Sequence, residues 1–413
     1  MAVPKLRFKE FDGDWSNKKI GNIASKVGSG STPRGGAEAY TDHGIIFIRS
    51  QNVNNDQLLL DDVAYIPEET HVKMSGSKVI ANDILLNITG ASIGRSCVVP
   101  HDFTEANVNQ HVCIIRTPND DPIFVQSFLS SENGQNAIQS KQAGGGREGL
   151  NFQAIRSIDF HFPPSKEEQT KIASFLSNVD EKISQLTQKH QLLSQYKQGM
   201  MQKLFSQQIR FKADDGSEFG EWGNKALNTL CSRSYQGINT VADKVEYQQS
   251  GYPILQAKHI TSEKLDLVDV RYLSDLDYEK YKEKYIPNVN DILFSNIGTI
   301  GKVVLVDAEN PFFIAWNIFL ITPKETLITP LYLTSYLRWL TALNYFDNLQ
   351  TGNATKFINK TDLLATVINL PCLAEQTKIA NFLSAIDQKI EVVAQQIEQA
   401  KTWKKGLLQQ MFI

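Results

Sequence analysis

The sequence predicts an α+β protein in which two mixed α/β heads alternate with two long helices. Three observations predict it. A 42-residue stretch occurs twice without a gap, at 164–205 and 371–412, with 18 identical positions. Each copy carries apolar residues in steps of four and three. Outside the copies, the two halves show the same order of short strand and turn signals.

The two long helices have the clearest period. In the first copy the apolar positions are Ile172, Leu176, Val179, Ile183, Leu186, Leu193 and Met200, with His190 and Lys197 in the same seam. The second copy gives Ile379, Leu383, Ile386, Ile390, Val393, Ile397, Ala400 and Leu407. Sustained over about five heptads, this spacing predicts a coiled-coil seam, and His190 reads as a polar register device within it. Pro163, Pro164 and Pro371 stand where a helix tolerates proline, in its first turn. A matched pair of long seams in one chain favours packing on each other.

The repeat extends into the heads. Arg7-Phe8-Lys9 recurs as Arg210-Phe211-Lys212, and Phe11-Asp12-Gly13-Asp14-Trp15 is echoed by Phe219-Gly220-Glu221-Trp222. A period this long is the duplication of a whole domain unit. The expected divisions are head 1 at 1–162, helix 1 at 163–206, head 2 at 207–370 and helix 2 at 371–413. Strands are expected at 44–49 and 251–256, then helical turns near 67–74 and 274–284. Turns leading into strands follow at 82–86 and 290–294. Gly90-Ala91-Ser92-Ile93-Gly94-Arg95 pairs with Gly298-Thr299-Ile300-Gly301-Lys302, and a polar, glycine-bearing loop precedes the last strand of each head, at 144–151 and 351–359. The heads diverge in polar loops: Gly28-Ser29-Gly30-Ser31-Thr32-Pro33-Arg34 has only a weak partner around 234–240.

Bulk properties narrow the class. A chain of 413 residues holds two or three domains, and a net charge of −3 leaves no general basic signature, so any nucleic-acid surface must be local. Cys97, Cys113, Cys231 and Cys372 stand far apart without ligand spacing, which suits free thiols and a cytoplasmic location. No run approaches the ~18 apolar residues of a membrane span.

Catalytic signatures are missing. There is no GxxxxGK[ST] loop, and Gly28-Ser29-Gly30 and Gly144-Gly145-Gly146 are too short for a dinucleotide fingerprint. Asn310-Pro311-Phe312-Phe313 lacks the second proline of an adenine methyltransferase motif. Seven scattered histidines form no metal cluster, and acidic residues stand among lysines, as in Glu279-Lys280-Tyr281-Lys282-Glu283-Lys284, the pattern of a solvated helix face. The expectation is a binding protein with no catalytic residue, no metal site and no cofactor of its own. Residue types that meet phosphates and base edges collect in the head loops. In head 1 they are Ser31, Thr32, Arg34, Arg49, Gln51, Asn52, Asn87, Arg95, Arg147 and Asn151. In head 2 they are Tyr235, Gln256, Lys258, His259, Asn296, Lys302, Thr355 and Lys356.

Over its whole length the chain resembles the specificity subunit of type I restriction–modification systems. The residues carrying the resemblance are Pro4-Lys5-Leu6-Arg7-Phe8 with Trp15, and the Gly30-Ser31-Thr32-Pro33 loop. Asp83-Ile84-Leu85 and Asp291-Ile292-Leu293 with their glycine sequels add to them, as do the Glu-Gln-Thr-Lys-Ile-Ala helix starts after Pro164 and Pro371. The resemblance implies two target-recognition domains separated by two long helices packed as an antiparallel coiled coil, with pseudo-twofold symmetry. Each domain would read one half of a split target in double-stranded DNA, and the helices would act as a ruler. Two modification subunits would dock there and supply S-adenosylmethionine chemistry, and restriction subunits would supply ATP- and Mg-dependent translocation and cleavage. Head 2 departs from the family in lacking the Gly-Ser-Gly-Ser-Thr-Pro loop. Two other classes stay open on the residues alone: a coiled-coil adaptor with protein ligands only, and a self-contained DNA modification enzyme.

Overall fold

The computed structural model describes residues 3–33, 35–54, 56–142, 149–261, 264–307, 311–351 and 356–413, with backbone alone at 36–37. It divides into two compact units: Met1–Gln188 with Ala394–Ile413, and Lys189–Val393.

In the first unit, Ser16–Lys19 pairs antiparallel with Asp159–Phe162, so the first and last strands of the head close on each other. An antiparallel sheet follows the order Lys26–Ser29, Val112–Arg116, Ile84–Asn87, Ser96–Val98. A second sheet runs Ala64–Ile66, Ile45–Ile48, Ala106–Val108, Lys78–Val79, with one parallel pairing at its centre. Val112–Arg116 and Ile84–Asn87 are almost wholly buried. They therefore read as continuous apolar runs, not as alternating strands. Asn82, in the left-handed region at φ 68°, turns the chain into Ile84–Asn87, and Asn290 at φ 73° does the same before Ile292–Ser295.

The second unit repeats this plan. Gly223–Ala226 pairs with Val367–Leu370, and Cys231–Gln236, Ile318–Pro323, Ile292–Ser295 and Val303–Leu305 form the antiparallel sheet. The mixed sheet is reduced to Arg271–Leu273, Tyr252–Leu255 and Phe313–Ile314. Gly30 and Gly237 occupy the same place in the two units. A Cβ on Gly30 would lie 1.7 Å from the Val108 carbonyl oxygen, and one on Gly237 2.3 Å from that of Ile314. The weak sequence partner of the Gly28–Arg34 stretch is thus a structural equivalent at the glycine where backbones touch.

Among the helices that the sequence pattern does not announce, the longest are Pro122–Ser130, Glu132–Ser140 and Pro330–Ala342. Pro122–Ser130 buries Phe124, Val125, Gln126, Ser127, Phe128 and Leu129 in succession, so it shows no one-sided period to detect. Short helices Phe152–Arg156 and Lys360–Ala365 also stand between each polar loop and the last strand.

The long helices span Lys166–Phe205 and Leu373–Met411. The start of the first contributes Ile172, Ala173, Leu176 and Val179 to the core of the first unit, and the end of the second contributes Leu407, Leu408, Met411 and Phe412 to that same core. In the second unit the pieces are reversed: Met201, Leu204 and Phe205 meet Ile379, Ala380 and Leu383. Met200, expected in the seam, is only half-buried, and it is Met201 that lies in the core of the second unit.

The repeated Glu-Gln-Thr-Lys is what ties helix to head. Glu168 is buried and receives Arg7 Nε at 2.7 Å and Trp15 Nε1 at 3.3 Å. Glu375 receives Arg210 Nη2 at 2.7 Å and Trp222 Nε1 at 3.0 Å. Gln169 Oε1 accepts the Asp121 N–H at the cap of helix Pro122–Ser130, and Gln376 Oε1 accepts the Thr329 N–H at the cap of Pro330–Ala342. Lys171 pairs with Glu10 and Lys378 with Asp214. Each buried polar group of the motif has a partner, as burial requires.

Candidate nucleic-acid interface

In each head the antiparallel sheet has one end where all the loops of interest meet. In the first unit, Lys26–Ser29 and Ile84–Asn87 end there, while Ser96–Val98 and Val112–Arg116 begin there. The loop after Ser29, the 88–95 loop and the 109–111 turn therefore share one rim. The segment at Gly149–Leu150 joins them through the Thr89–Gly149 bridge and the Leu150 N–H to the Ile88 carbonyl at 2.9 Å. Along the rim runs a chain of side chains. Thr32 Oγ1 donates to Gln110 Oε1, Gln110 Nε2 lies 3.1 Å from His111 Nε2, and Thr89 Oγ1 lies 2.6 Å from His111 Nδ1. The opposite end of the sheet is occupied by Asp83 with Arg116, and in the second unit by Asp291 with Arg233.

Beside the rim, both heads carry the same 3₁₀ turn, Ser50–Asn52 and Ala257–His259. The Arg49 N–H donates to Asn52 Oδ1 at 2.9 Å, and the Gln256 N–H donates to His259 Nδ1 at 2.8 Å. Gln51 Nε2 donates to Asp62 Oδ2 at 2.8 Å, and Lys258 Nζ donates to Asp269 Oδ2 at 2.7 Å. Arg49 Nη2 also reaches within 3.8 Å of Asp62 Oδ1.

These facts sort the sequence candidates. Ser31, Thr32, Gln51, Arg95, Asn151, Lys258 and Lys356 are exposed, and Arg49, Gln256 and Lys302 half-buried. Arg34, Arg147 and Thr355 lie outside the described residues. Four candidates are corrected. Asn52, Asn87, His259 and Asn296 are at most 2% exposed. Their amides and ring hold the fold: Asn52 Nδ2 donates to the Leu59 and Asp62 carbonyls, and Asn87 Nδ2 to those of Ser50 and Val53. His259 Nε2 lies 3.3 Å from the Asp269 carbonyl, and Asn296 Nδ2 donates to that of Ile358. Tyr235 is half-buried, its hydroxyl donating to the Lys284 carbonyl and its ring edge-on to Tyr285 at 5.8 Å. Burial pushes its phenol up to about 12. Asn151 caps helix Phe152–Arg156 through the Ala154 N–H at 2.8 Å. Lys302 lines a cavity of about 530 Å³ with Lys197, Lys264 and Arg338 against the first long helix.

Sequence reasoning missed the 109–111 turn and its counterpart at 315–317, which hold Gln110, His111, Trp316 and Asn317 at the rim. No motif marks them; only their place between two strands does. Among the described residues no group of three or more His, Cys, Asp and Glu side chains could hold a metal ion, and no helix is long and apolar enough to cross a membrane.

His259 gives a pH prediction. Burial disfavours its imidazolium, so its pKa is lowered in the fold. As pH falls through the free histidine value of ~6.5, the unfolded chain takes up the proton first. The stabilisation is complete above that value and is lost below it. Urea unfolding of the native chain should therefore weaken from pH 7 to pH 5 more steeply than that of His259→Asn, which installs the non-titrating residue of the equivalent turn. Parallel slopes would show that His259 does not titrate on unfolding.

Comparison with known proteins agrees with this architecture. The family of the type I restriction modification DNA specificity domain matches twice, at residues 12–195 and 220–402. The type I restriction enzyme MjaVIII specificity subunit of Methanocaldococcus jannaschii is 25% identical over 358 residues, covering 82% of this chain and 80% of its own. The EcoKI specificity subunit of Escherichia coli K12 is 22% identical, covering 88% and 79%. The crystal structure of a type I restriction–modification S subunit from M. genitalium shares the fold, with a TM-score of 0.60, 14% identity and coverage of 100% of this chain and 99% of that one. A structure from work on assembly and conformational transition of the type I system gives a TM-score of 0.56 at 15% identity, covering 97% and 98%. With both of its heads matched, the chain belongs to the family of type I restriction–modification DNA specificity subunits.

Proposed function

We propose that each head reads one half of a split double-stranded DNA target with the loops at the rim of its antiparallel sheet. The observation that carries this reading is a repeated scaffold whose rims differ in chemistry: Thr89, Gln110 and His111 in one head, Ile297, Trp316 and Asn317 in the other. Exposed Arg95, Lys258 and Lys356 supply phosphate contacts, which position the head, while the rim reads bases. The two long helices pack as one antiparallel coiled coil with pseudo-twofold symmetry and set the spacing of the half-targets. Support comes from the reversed sharing of helix pieces between the two cores, and from the seam pairs Asp180–Lys404 and Lys197–Asp387.

On this reading the chain catalyses nothing itself. Two modification subunits dock on the helices and bring S-adenosylmethionine, and restriction subunits bring ATP and Mg chemistry. The complex works in the cytoplasm, where its free thiols stay reduced.

Replacing residues 207–370 with the second head of another family member should change one half of the methylated motif and leave the other intact. Sequencing of methylated adenines in cells carrying each version checks this. A change in both halves, or in neither, would refute the modular reading.

A further inference from the structure

We infer that Trp316, on the same rim as Ile297 and Phe357, recognises the 5-methyl group of thymine in the half-target of the second head. The inference rests on the proposed reading of DNA by the rim and names the base group that this head selects.

The backbone bonds of the two heads match position by position. In the first head the Asn109 N–H donates to the Ile48 carbonyl and the Val112 N–H to that of Asn109. The Ile88 N–H bonds the His111 carbonyl, and the Leu150 N–H that of Ile88. In the second head the Ala315 N–H donates to the Leu255 carbonyl and the Ile318 N–H to that of Ala315. The Asn296 N–H bonds the Asn317 carbonyl, and the Ile358 N–H that of Asn296. Gln110 is therefore equivalent to Trp316, and His111 to Asn317. The antiparallel bridges Thr89–Gly149 and Ile297–Phe357 extend the match.

At equivalent points, the first head thus places Gln110, Thr89 and Gly149, and the second places Trp316, Ile297 and Phe357. One patch offers donors and acceptors; the other is apolar. Trp316 is 45% exposed and Phe357 38%. Neither ring contacts another aromatic, and the Trp316 indole N–H has no hydrogen-bond partner among the described residues. A tryptophan left this bare is not part of the core. In the major groove the group with a purely apolar contact to offer is the thymine methyl. Lys356, exposed beside Phe357, is placed to hold a neighbouring phosphate.

The test uses the full chain with its modification subunits and duplexes carrying the methylated motif. Thymines of each half are replaced singly by uracil, which removes only the 5-methyl. In native protein, one replacement in the second half should weaken binding about fourfold, the worth of one buried methyl. Trp316→Ala should bind the thymine and uracil duplexes equally, while retaining native discrimination in the first half. Trp316→Gln, which installs the residue of the first head, should do the same; first-half discrimination shows that each variant is folded. Specific binding by native protein that ignores every second-half methyl would overturn the inference and leave the proposed function standing. So would a methyl effect that persists in both variants. Absence of any sequence-specific binding by native protein would overturn the proposed function itself, and the inference with it.

Discussion

Deleting residues 405–413 should unfold the first unit, although these residues lie at the far end of the chain from that head. Leu407, Leu408, Met411 and Phe412 are core residues of the first unit, and the Phe412 ring lies 5.3 Å from Phe124 and 6.2 Å from Phe128. Phe412 is 1% exposed, so Phe412→Ala alone should cost about 3–5 kcal/mol. Phe205, wholly buried among Tyr332, Tyr336 and Trp339, is its counterpart in the second unit. Phe205→Ala should cost as much there. Hydrogen exchange resolved by segment separates the two variants. Phe412→Ala should lower protection at Val112–Arg116 and Pro122–Ser130, and Phe205→Ala at Ile318–Pro323 and Pro330–Ala342. Loss of protection in the wrong unit would refute the assignment of the helix ends.

Lys404→Met should be the most damaging single change on the helix surface of the first unit. Lys404 Nζ lies 2.6 Å from Asp180 Oδ1 on the first long helix and 2.9 Å from Asp56 Oδ2 in the head. Burial pulls the ammonium pKa down, but the two carboxylates outweigh it, so Lys404 is held above its ordinary value. Burial pushes Asp180 up, with Lys404 opposing it. Removing the lysine strands two partly buried carboxylates, at a cost of about 3 kcal/mol, toward the low end for broken buried pairs because Asp180 keeps some water. Adding Asp180→Leu should restore part of that, since an apolar pair replaces an uncompensated charge. Asp56 keeps bonds from Ser130 Oγ at 2.5 Å and Gln126 Nε2 at 3.0 Å. Urea titration of the single and double variants measures the coupling; a single variant within about 0.5 kcal/mol of native would show that the triad is not stabilising.

The sequence by itself determined the duplication, the two long helices and the order of strands and turns in each head. These are local signals. A heptad period persists over 42 residues whatever surrounds it, and Asn82 and Asn290 announce left-handed turns through their own backbone preference. It also showed that Glu-Gln-Thr-Lys matters twice, but not why: the reason is Arg7 and Trp15, or Arg210 and Trp222, arriving from more than 150 residues away in the chain. Only the tertiary structure decided which helix end serves which core: the start of the first helix and the end of the second fall in one core, and the remaining ends in the other. It alone separated rim from interior. Asn52 and His259 have the chemistry of base readers, yet their polar atoms are taken by backbone groups of their own turn and of the segment that follows it. Trp316 has the chemistry of a core residue and stands in solvent. A side chain's type states what it can bind; whether that partner is the protein or a ligand depends on the neighbours that folding brings to it.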